Sequence, residues 1–126
     1  MSVFNDEERV YLAGQRLGRL ATADSRGRPH VVPTGFRFDA EKGVLRVGGH
    51  NLTRSKKFRD VLANPHAAFV VDDLVSTNPW RVRGIEIRGE AQALTEGGEA
   101  LSPGFGSAWI EIKPDSISSW GLGNGS

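Results

Sequence analysis

The sequence predicts a mainly β domain, in which six short strands form a small antiparallel barrel with two short helices. Three observations support this fold class. Six segments show the apolar alternation or the continuous apolar run of a strand, tight turns rich in Gly and Asp separate most of them, and only two segments carry helix signals. The 126 residues suffice for one domain with a modest core, so we assign 1–126 to a single domain.

The N-terminal part of the chain is expected to contain one helix and three strands. Asn5 can cap a helix that continues to about Gly14, because acidic residues follow the cap directly. The next three predicted elements are strands at 17–23, 29–38 and 44–48. Turn sequences around Gly27 and Gly43 separate these strands, which predicts antiparallel neighbours.

A basic helix and three more strands make up the rest. Thr53 is the predicted N-cap of this helix, and Asn64-Pro65 ends it because proline disfavours α geometry in the residue before it. The remaining strands are predicted at 67–71, 82–94 and 107–112. Residues 72–80 are expected to form a Pro-containing loop, and a Gly/Pro-rich loop is expected at about 96–106.

The basic helix carries the clearest functional signal. Four cations and no carboxylate precede Asp60, namely Arg54, Lys56, Lys57 and Arg59. A helix N-terminus is already partly positive, so clustered cations there cost stability unless an anion binds among them. Exposed amides, a hydroxyl and a lysine at a helix start can bind phosphate, and the alternative is a solvated basic surface.

A helical wheel of this segment separates a buried face from a solvent face. Phe58, Val61 and Leu62 form the predicted buried stripe. Lys56 and Asp60 are placed on the opposite side, while Lys57 lies on a flank of the stripe. Lys57 is therefore the better placed of the two adjacent lysines for a partly buried anion.

Composition excludes several classes of function. The net charge of +1 lacks the field of a nucleic-acid-binding protein, and the absence of cysteine excludes disulfides, thiolate metal sites and a Cys nucleophile. No apolar run approaches the roughly 18 residues of a membrane helix, so we expect a soluble cytoplasmic protein without membrane or nucleic-acid partners.

No catalytic side chain and no metal site are predicted. The histidines His30, His50 and His66 lack metal-ligand spacing. Asp72 and Asp73 are adjacent, so in a strand they would point to opposite faces, and a loop at a strand end is the expected setting. The serines lie in no nucleophile-elbow context. An enzyme with this sequence would need a cofactor to supply the chemistry.

Several motifs occur in the order found in a known superfamily. They are 29–33 (PHVVP), 55–57 (SKK), 83–91 (RGIEIRGEA) and 114–121 (PDSISSWG). Together they resemble the pyridoxamine-phosphate-oxidase superfamily, the flavin-binding split barrels. Within it, 11–22, 56–61 and 70–74 are similar to the branch that uses the deazaflavin coenzyme F-420 instead of FMN.

The resemblance implies a six-stranded split β-barrel that forms a homodimer, with two cofactor sites at the subunit interface. The strand at 29–35 would lie along the ring system, and 51–57 would hold the phosphate. Ser55 and Lys57 match the superfamily's phosphate-binding Ser and Lys, and Lys56 replaces its usual Arg. The implied cofactor-binding residues are His30, Val31, Val32, Pro33, Thr34, Asn51, Arg54, Ser55, Lys56, Lys57 and Trp120.

Two departures from the FMN-type oxidases favour a deazaflavin. Gly35 stands where those enzymes carry a Lys near the ring, and Gly84 stands where they carry a Gln, which suggests a different ring or a roomier substrate pocket. The predicted function is a coenzyme F-420-dependent reductase that transfers a hydride to an unsaturated organic acceptor. The alternatives are an FMN-binding flavoprotein and a non-catalytic protein that binds a deazaflavin or a tetrapyrrole. Trp80 and Trp109 are expected in the core or at the dimer interface.

Overall fold

A computed structural model describes residues 3–123 and shows seven strands in one antiparallel sheet that curls into a half-barrel. The helices are α1 (Asp6–Ala13) and α2 (Lys56–Ala63), and 3₁₀ turns occur at Leu52–Arg54 and Gly98–Ala100. The strands are β1 (Leu17–Ala23), β2 (Pro29–Gly35), β3 (Arg37–Asp39), β4 (Val44–Gly48), β5 (His66–Thr77), β6 (Trp80–Leu94) and β7 (Trp109–Trp120). Their order across the sheet is β2-β1-β5-β6-β7-β4-β3.

The seventh strand arises because the predicted strand 29–38 is two strands. β2 pairs with β1 at one edge of the sheet, and β3 pairs with β4 at the other edge. Between them Phe36 is buried and packs edge-on against Phe69, with ring centroids 5.2 Å apart. The prediction of six strands was wrong because the apolar pattern continues through Phe36 while the backbone crosses from one sheet edge to the other.

The predicted loop at 72–80 belongs to a long hairpin. β5 extends to Thr77 and β6 begins at Trp80, so only two residues connect the strands. Asp72 and Asp73 therefore lie within a strand and face opposite sides, where Asp72 pairs with Arg19 and Asp73 pairs with Arg83. The loop prediction was wrong because Pro79 lies in the turn itself and does not interrupt the pairing.

β7 is also longer than predicted, since it continues from Trp109 to Trp120. Its register against β6 shifts at Gly89, where a Cβ atom would lie only 1.9 Å from the carbonyl oxygen of Lys113. A glycine is required at this close approach, and the irregularity accommodates Pro114 within a strand. The motif at 114–121 is thus the second half of a strand, with one residue beyond it.

One face of the sheet forms the core. Alternate residues of the central strands point into it, and Ile85, Ile87, Ile110 and Ile112 are fully buried. The helices complete the core, because α1 contributes Tyr11 and Leu12 while α2 packs against β1 and β6.

Both helices have well-defined ends. α1 has the predicted cap: Asn5 accepts a hydrogen bond from the Glu8 amide at 2.8 Å, and the Glu8 carboxylate accepts one from the Asn5 amide at 2.9 Å. The N-cap of α2 is Ser55, whose hydroxyl accepts from the Phe58 amide at 3.3 Å. The prediction of Thr53 was wrong because that residue lies within the preceding 3₁₀ turn, and the predicted end at Asn64 is confirmed.

Neither Trp80 nor Trp109 is fully buried in the core. Trp80 lies at the tip of the β5–β6 hairpin and is 69% exposed, so the core alternative is wrong for it. Trp109 is half-buried, and its indole nitrogen donates to the carbonyl oxygen of Glu96 at 2.6 Å.

Among residues 3–123, no helix has the length and apolar character needed to cross a bilayer.

Candidate functional site

The start of α2 combines helix amides with a half-buried ammonium group. Burial lowers the pKa of Lys57, and no carboxylate in the described part of the chain forms an ion pair with it. Arg54, exposed in the preceding turn, also lacks an ion-pair partner among residues 3–123. The first amides of a helix have no intrahelical acceptor. An anion bound here would therefore meet two cationic side chains and the positive end of the helix.

Lys56, the neighbouring lysine, is already neutralised within its own helix. Its ammonium nitrogen lies 3.0 Å from Asp60 Oδ1, and the hydroxyl of Thr22 on β1 donates to Asp60 Oδ2 at 2.9 Å. Burial raises the pKa of Asp60, but the hydrogen bonds from Lys56 and Thr22 outweigh this effect and hold it below its ordinary value.

The buried carboxylate corrects the helical wheel. Asp60, placed opposite the buried stripe, is only 3% exposed, whereas Leu62, a member of that stripe, is 67% exposed, so the wheel is wrong for both residues. Phe58 and Val61 are buried as predicted. The wheel misplaced Asp60 because its face of α2 meets a hydroxyl, Thr22, on β1, and a wheel treats every polar residue as solvent-facing.

Ser55 and Asn51 shape the turn before α2. The Ser55 hydroxyl donates to the carbonyl oxygen of Leu52 at 2.6 Å, so it can donate to an anion only by releasing that carbonyl. Asn51 adopts a left-handed conformation with φ 51°, and its carbonyl accepts from the Arg54 amide at 3.0 Å. Both residues hold the loop in place and bring Arg54 beside the helix start.

β2 connects this helix to the rest of the candidate site. His30 is paired with Thr22 in the β1–β2 register, and its imidazole is near enough to Asp60 to contribute to the lowered pKa of that carboxyl. Its ring nitrogen Nδ1 is buried without a hydrogen-bond partner among residues 3–123. The His30 end of β2 is thus anchored beside α2.

The five predicted residues of β2 do not form one side-chain surface. His30, Val32 and Thr34 are half-buried on the core side, whereas Val31 and Pro33 are exposed on the other face. β2 is an edge strand of the described sheet, so backbone N–H and C=O groups along its free side lack strand partners. A ligand lying along β2 would contact this backbone edge.

A cavity of about 480 Å³ opens at the other end of β2, beside Gly35. Its apolar lining includes Leu12, Phe36, Leu101 and Phe105, and its cationic lining consists of Arg16, Arg37 and Arg46. This cavity could not be predicted from the sequence, because its residues come from separate segments of the chain. The only signal was Gly35, where an added Cβ atom would meet nothing nearer than the Arg16 carbonyl oxygen, at 3.5 Å.

Gly84 does not provide the predicted additional space. A Cβ atom there would lie 2.6 Å from the Trp120 indole and 2.9 Å from Asp72 Cβ, so the glycine accommodates the tryptophan. The inference of a roomier pocket at Gly84 is therefore wrong, and it applies at Gly35 alone. Trp120 lies on β7, which is four strands from β2 in the order of the sheet, and its indole packs over Gly84.

Arg83, beside Gly84, belongs to a separate network that ties α1 to the sheet. Its guanidinium donates to both Asp73 oxygens, at 2.8 and 3.1 Å, and the Tyr11 hydroxyl donates to the same carboxylate at 2.7 Å. Burial, together with the adjacent carboxylate, raises the pKa of Tyr11, so its hydroxyl stays protonated at neutral pH. The polar groups of Tyr11, Asp73 and Arg83 thus bond to one another.

The sequence is similar to a known family over nearly its whole length. The family model described as pyridoxamine 5′-phosphate oxidase matches residues 4–121. A Streptomyces rimosus protein, 5a,11a-dehydrotetracycline/5a,11a-dehydrooxytetracycline reductase, is 43% identical over 119 residues, which cover 94% of this chain and 84% of that protein.

Solved structures share the fold at lower sequence identity. A conserved hypothetical protein from Mycobacterium tuberculosis aligns with a TM-score of 0.72 and 16% identity, covering 95% of this chain and 86% of that chain. An FAD binding protein from Mycobacterium smegmatis aligns with a TM-score of 0.68 and 18% identity, covering 94% of this chain and 96% of that chain. At these identities the likeness is one of fold.

Proposed function

The chain belongs to the pyridoxamine 5′-phosphate oxidase family, and from this membership we propose that it is a reductase that uses the deazaflavin coenzyme F-420. The proposed reaction is hydride transfer from the reduced cofactor to an unsaturated organic acceptor. The similarity to a reductase over most of both chains supports an oxidoreductase of this class. The name of that relative denotes reduction of a dehydro compound, which supports an unsaturated acceptor here.

The half-buried Lys57 ammonium without a carboxylate partner among residues 3–123 is the observation that carries this proposal. A phosphate group would supply the missing anion. α2 is hydrogen-bonded through Asp60 to Thr22 on β1, and Thr22 is paired with His30 at one end of β2. The cavity lies at the other end of β2, beside Gly35, which is about 17 Å from His30 along an extended strand. An elongated cofactor with a phosphate at one end and a reactive ring at the other suits this spacing.

The residues along this path fit a flavin-type cofactor. Lys57, Arg54 and the first α2 amides would hold the phosphate, and the free backbone edge of β2 would hydrogen-bond the polar rim of a ring system. Gly35 leaves open space where an FMN-type oxidase carries a lysine near the ring. This difference favours the deazaflavin over FMN.

When bound, the reduced deazaflavin supplies the hydride. The chain itself orients the reactants, because Leu12, Phe36 and Phe105 provide apolar walls beside the end of β2. The described lining contains neither a carboxylic acid nor a histidine, and arginine does not release a proton at neutral pH. We therefore assign the proton to solvent that enters through the open mouth of the cavity.

We also propose that the protein is a homodimer with two cofactor sites at the subunit interface. The sheet face opposite the core exposes several apolar side chains, and exposed patches of this kind mark interaction surfaces. They are Leu17, Val31, Leu74 and Val82. The order of the strands is further support, since β7 lies four strands from β2 in one chain and we propose that the second subunit supplies Trp120 to a cofactor on β2. Light scattering on the purified protein gives the mass that tests this.

Titrations with coenzyme F-420 and with FMN test the cofactor assignment. We expect deazaflavin binding, followed by oxidation of its reduced form when a conjugated quinone or enone is added. A protein that retains FMN and does not bind the deazaflavin would contradict the proposal. If the protein binds a deazaflavin or a tetrapyrrole but several quinones and enones fail to oxidise the bound reduced deazaflavin, it is a non-catalytic binding protein.

A further inference from the structure

We propose that the cavity beside Gly35 binds acceptors that carry an anionic group, a carboxylate or an ionised enol on a conjugated ring, and that Arg16 recognises this group. The inference rests on the proposed function, since it names the substrate class of the same site. It concerns the acceptor and not the phosphate, because the cavity and α2 lie at opposite ends of β2.

The charges that line the cavity are unbalanced. Three arginines and no carboxylate contribute to the described lining. Arg46 is compensated from outside the cavity, since its guanidinium lies 3.0 Å from Asp39 and 3.9 Å from Glu111. Arg16 and Arg37 form no ion pair with any carboxylate in residues 3–123. Two positive charges therefore face one small volume without a protein counter-ion.

Arg16 is the less constrained of these two residues. It lies in the short connection between α1 and β1, and its backbone oxygen is the nearest atom to the position of a Cβ on Gly35. No described side chain or backbone group bonds to its guanidinium. Arg37 instead donates from Nε to the carbonyl oxygen of Leu101 at 3.0 Å, which ties the loop containing Leu101 to β3. Arg16 is therefore positioned for a ligand, whereas Arg37 also supports the cavity wall.

The apolar lining indicates what accompanies the anionic group. Phe105 packs closely over Gly48, where a Cβ atom would lie 2.7 Å from the phenyl ring, and Leu12 and Phe36 add further apolar surface. The volume of about 480 Å³ is within the range of sites for drug-sized molecules. A flat conjugated ring system with an acidic group at one edge matches both the lining and the charge.

Two quinones of nearly equal size test the charge preference. 2-Hydroxy-1,4-naphthoquinone is an anion at neutral pH, whereas 2-methyl-1,4-naphthoquinone is neutral. Their dissociation constants are measured calorimetrically on the full chain, with and without oxidised deazaflavin, and both are then tried as hydride acceptors. We expect the anion to bind about tenfold more tightly than the neutral quinone, as for a charge-assisted hydrogen bond that is partly exposed.

Arg16→Met should remove most of this preference without affecting folding, because the side chain is exposed and has no described partner. The matched control is Arg26→Met, which removes the same charge from the β1–β2 turn at the far end of β2. Arg37→Met should also reduce the preference. A lower melting temperature for this variant alone would reflect its bond to Leu101.

Each result decides one question. Equal affinity of the wild-type protein for both quinones, or an unchanged preference in folded Arg16→Met, overturns the inference. Weaker deazaflavin binding in Arg16→Met, with the quinone preference intact, also overturns it and assigns Arg16 to the cofactor. An Arg16-dependent preference in a protein that binds no deazaflavin supports this anion site and refutes the proposed function instead.

Discussion

Replacing Lys57 with methionine should weaken cofactor binding while leaving the free protein at least as stable as before. Methionine retains most of the aliphatic stem and removes the ammonium group. In the free protein this group is half-buried without a carboxylate partner among residues 3–123, and burial lowers its pKa from the ordinary value of 10.5. The substitution therefore removes a charge that folding partly desolvates.

The sign of the stability effect follows from the lowered pKa. A basic group whose pKa is lower in the folded than in the unfolded state opposes folding below its folded pKa, where both states are protonated. The opposition fades as the pH rises from the folded pKa towards 10.5. At neutral pH the Lys57→Met protein should thus unfold at the same or a slightly higher denaturant concentration than the wild type.

The effect on binding has the opposite sign and is larger. A charge-assisted hydrogen bond to phosphate contributes about 1.5–3 kcal/mol, which corresponds to a dissociation constant roughly 10- to 150-fold higher in the variant. The half-buried position reduces screening by salt, so the difference should persist at physiological ionic strength.

Fluorescence titration with coenzyme F-420 and urea unfolding of the free protein measure both quantities. Lys42→Met is the matched control, since Lys42 is an exposed lysine in the β3–β4 turn. Unchanged affinity in folded Lys57→Met would refute the phosphate role. A clear loss of stability in the free variant, with normal affinity, would show that the ammonium is structural.

Three further substitutions test the surrounding structure. Asp60→Asn should lower the free energy of unfolding, measured by urea titration, by about 1–3 kcal/mol at pH 7. The difference from the wild type should disappear below about pH 4, because a carboxylate with a lowered pKa loses its stabilising contribution as the pH falls through that pKa. Tyr11→Phe should cost about 1–2 kcal/mol, measured the same way, because it leaves a carboxylate on β5 without one donor. Gly84→Ala should displace the Trp120 indole, lowering the melting temperature and changing tryptophan fluorescence, whereas Gly35→Ala, with open space around it, should change neither.

The elements that the sequence predicts correctly are those with a local physical cause. The Asn5 cap and the end of α2 at Asn64 depend on residues within a few positions of one another. The separation of β2 from β3 depends on a non-local cause, the burial of Phe36 against Phe69, for which the sequence has no periodic signal.

The same distinction applies to the candidate site. The start of α2 could be found by inspection because its cations and its cap are contiguous in the chain. The partner of Asp60 could not, because Thr22 lies 38 positions away on β1. Asp60→Ala would therefore be a poor neutral control for phosphate binding, although the helical wheel places Asp60 away from the buried face.

Lys56 and Lys57 show how the structure assigns different roles to adjacent identical residues. The resemblance to the superfamily ranks Lys57 above Lys56 because Lys56 replaces an arginine. The structure supplies an independent physical reason, since Asp60 neutralises Lys56 while no described carboxylate neutralises Lys57. The same difference separates two arginines at the other end of β2, where Asp39 neutralises Arg46 and no described carboxylate neutralises Arg16. A cation that the fold leaves without a counter-ion beside a cavity or a helix start is the one available to a ligand.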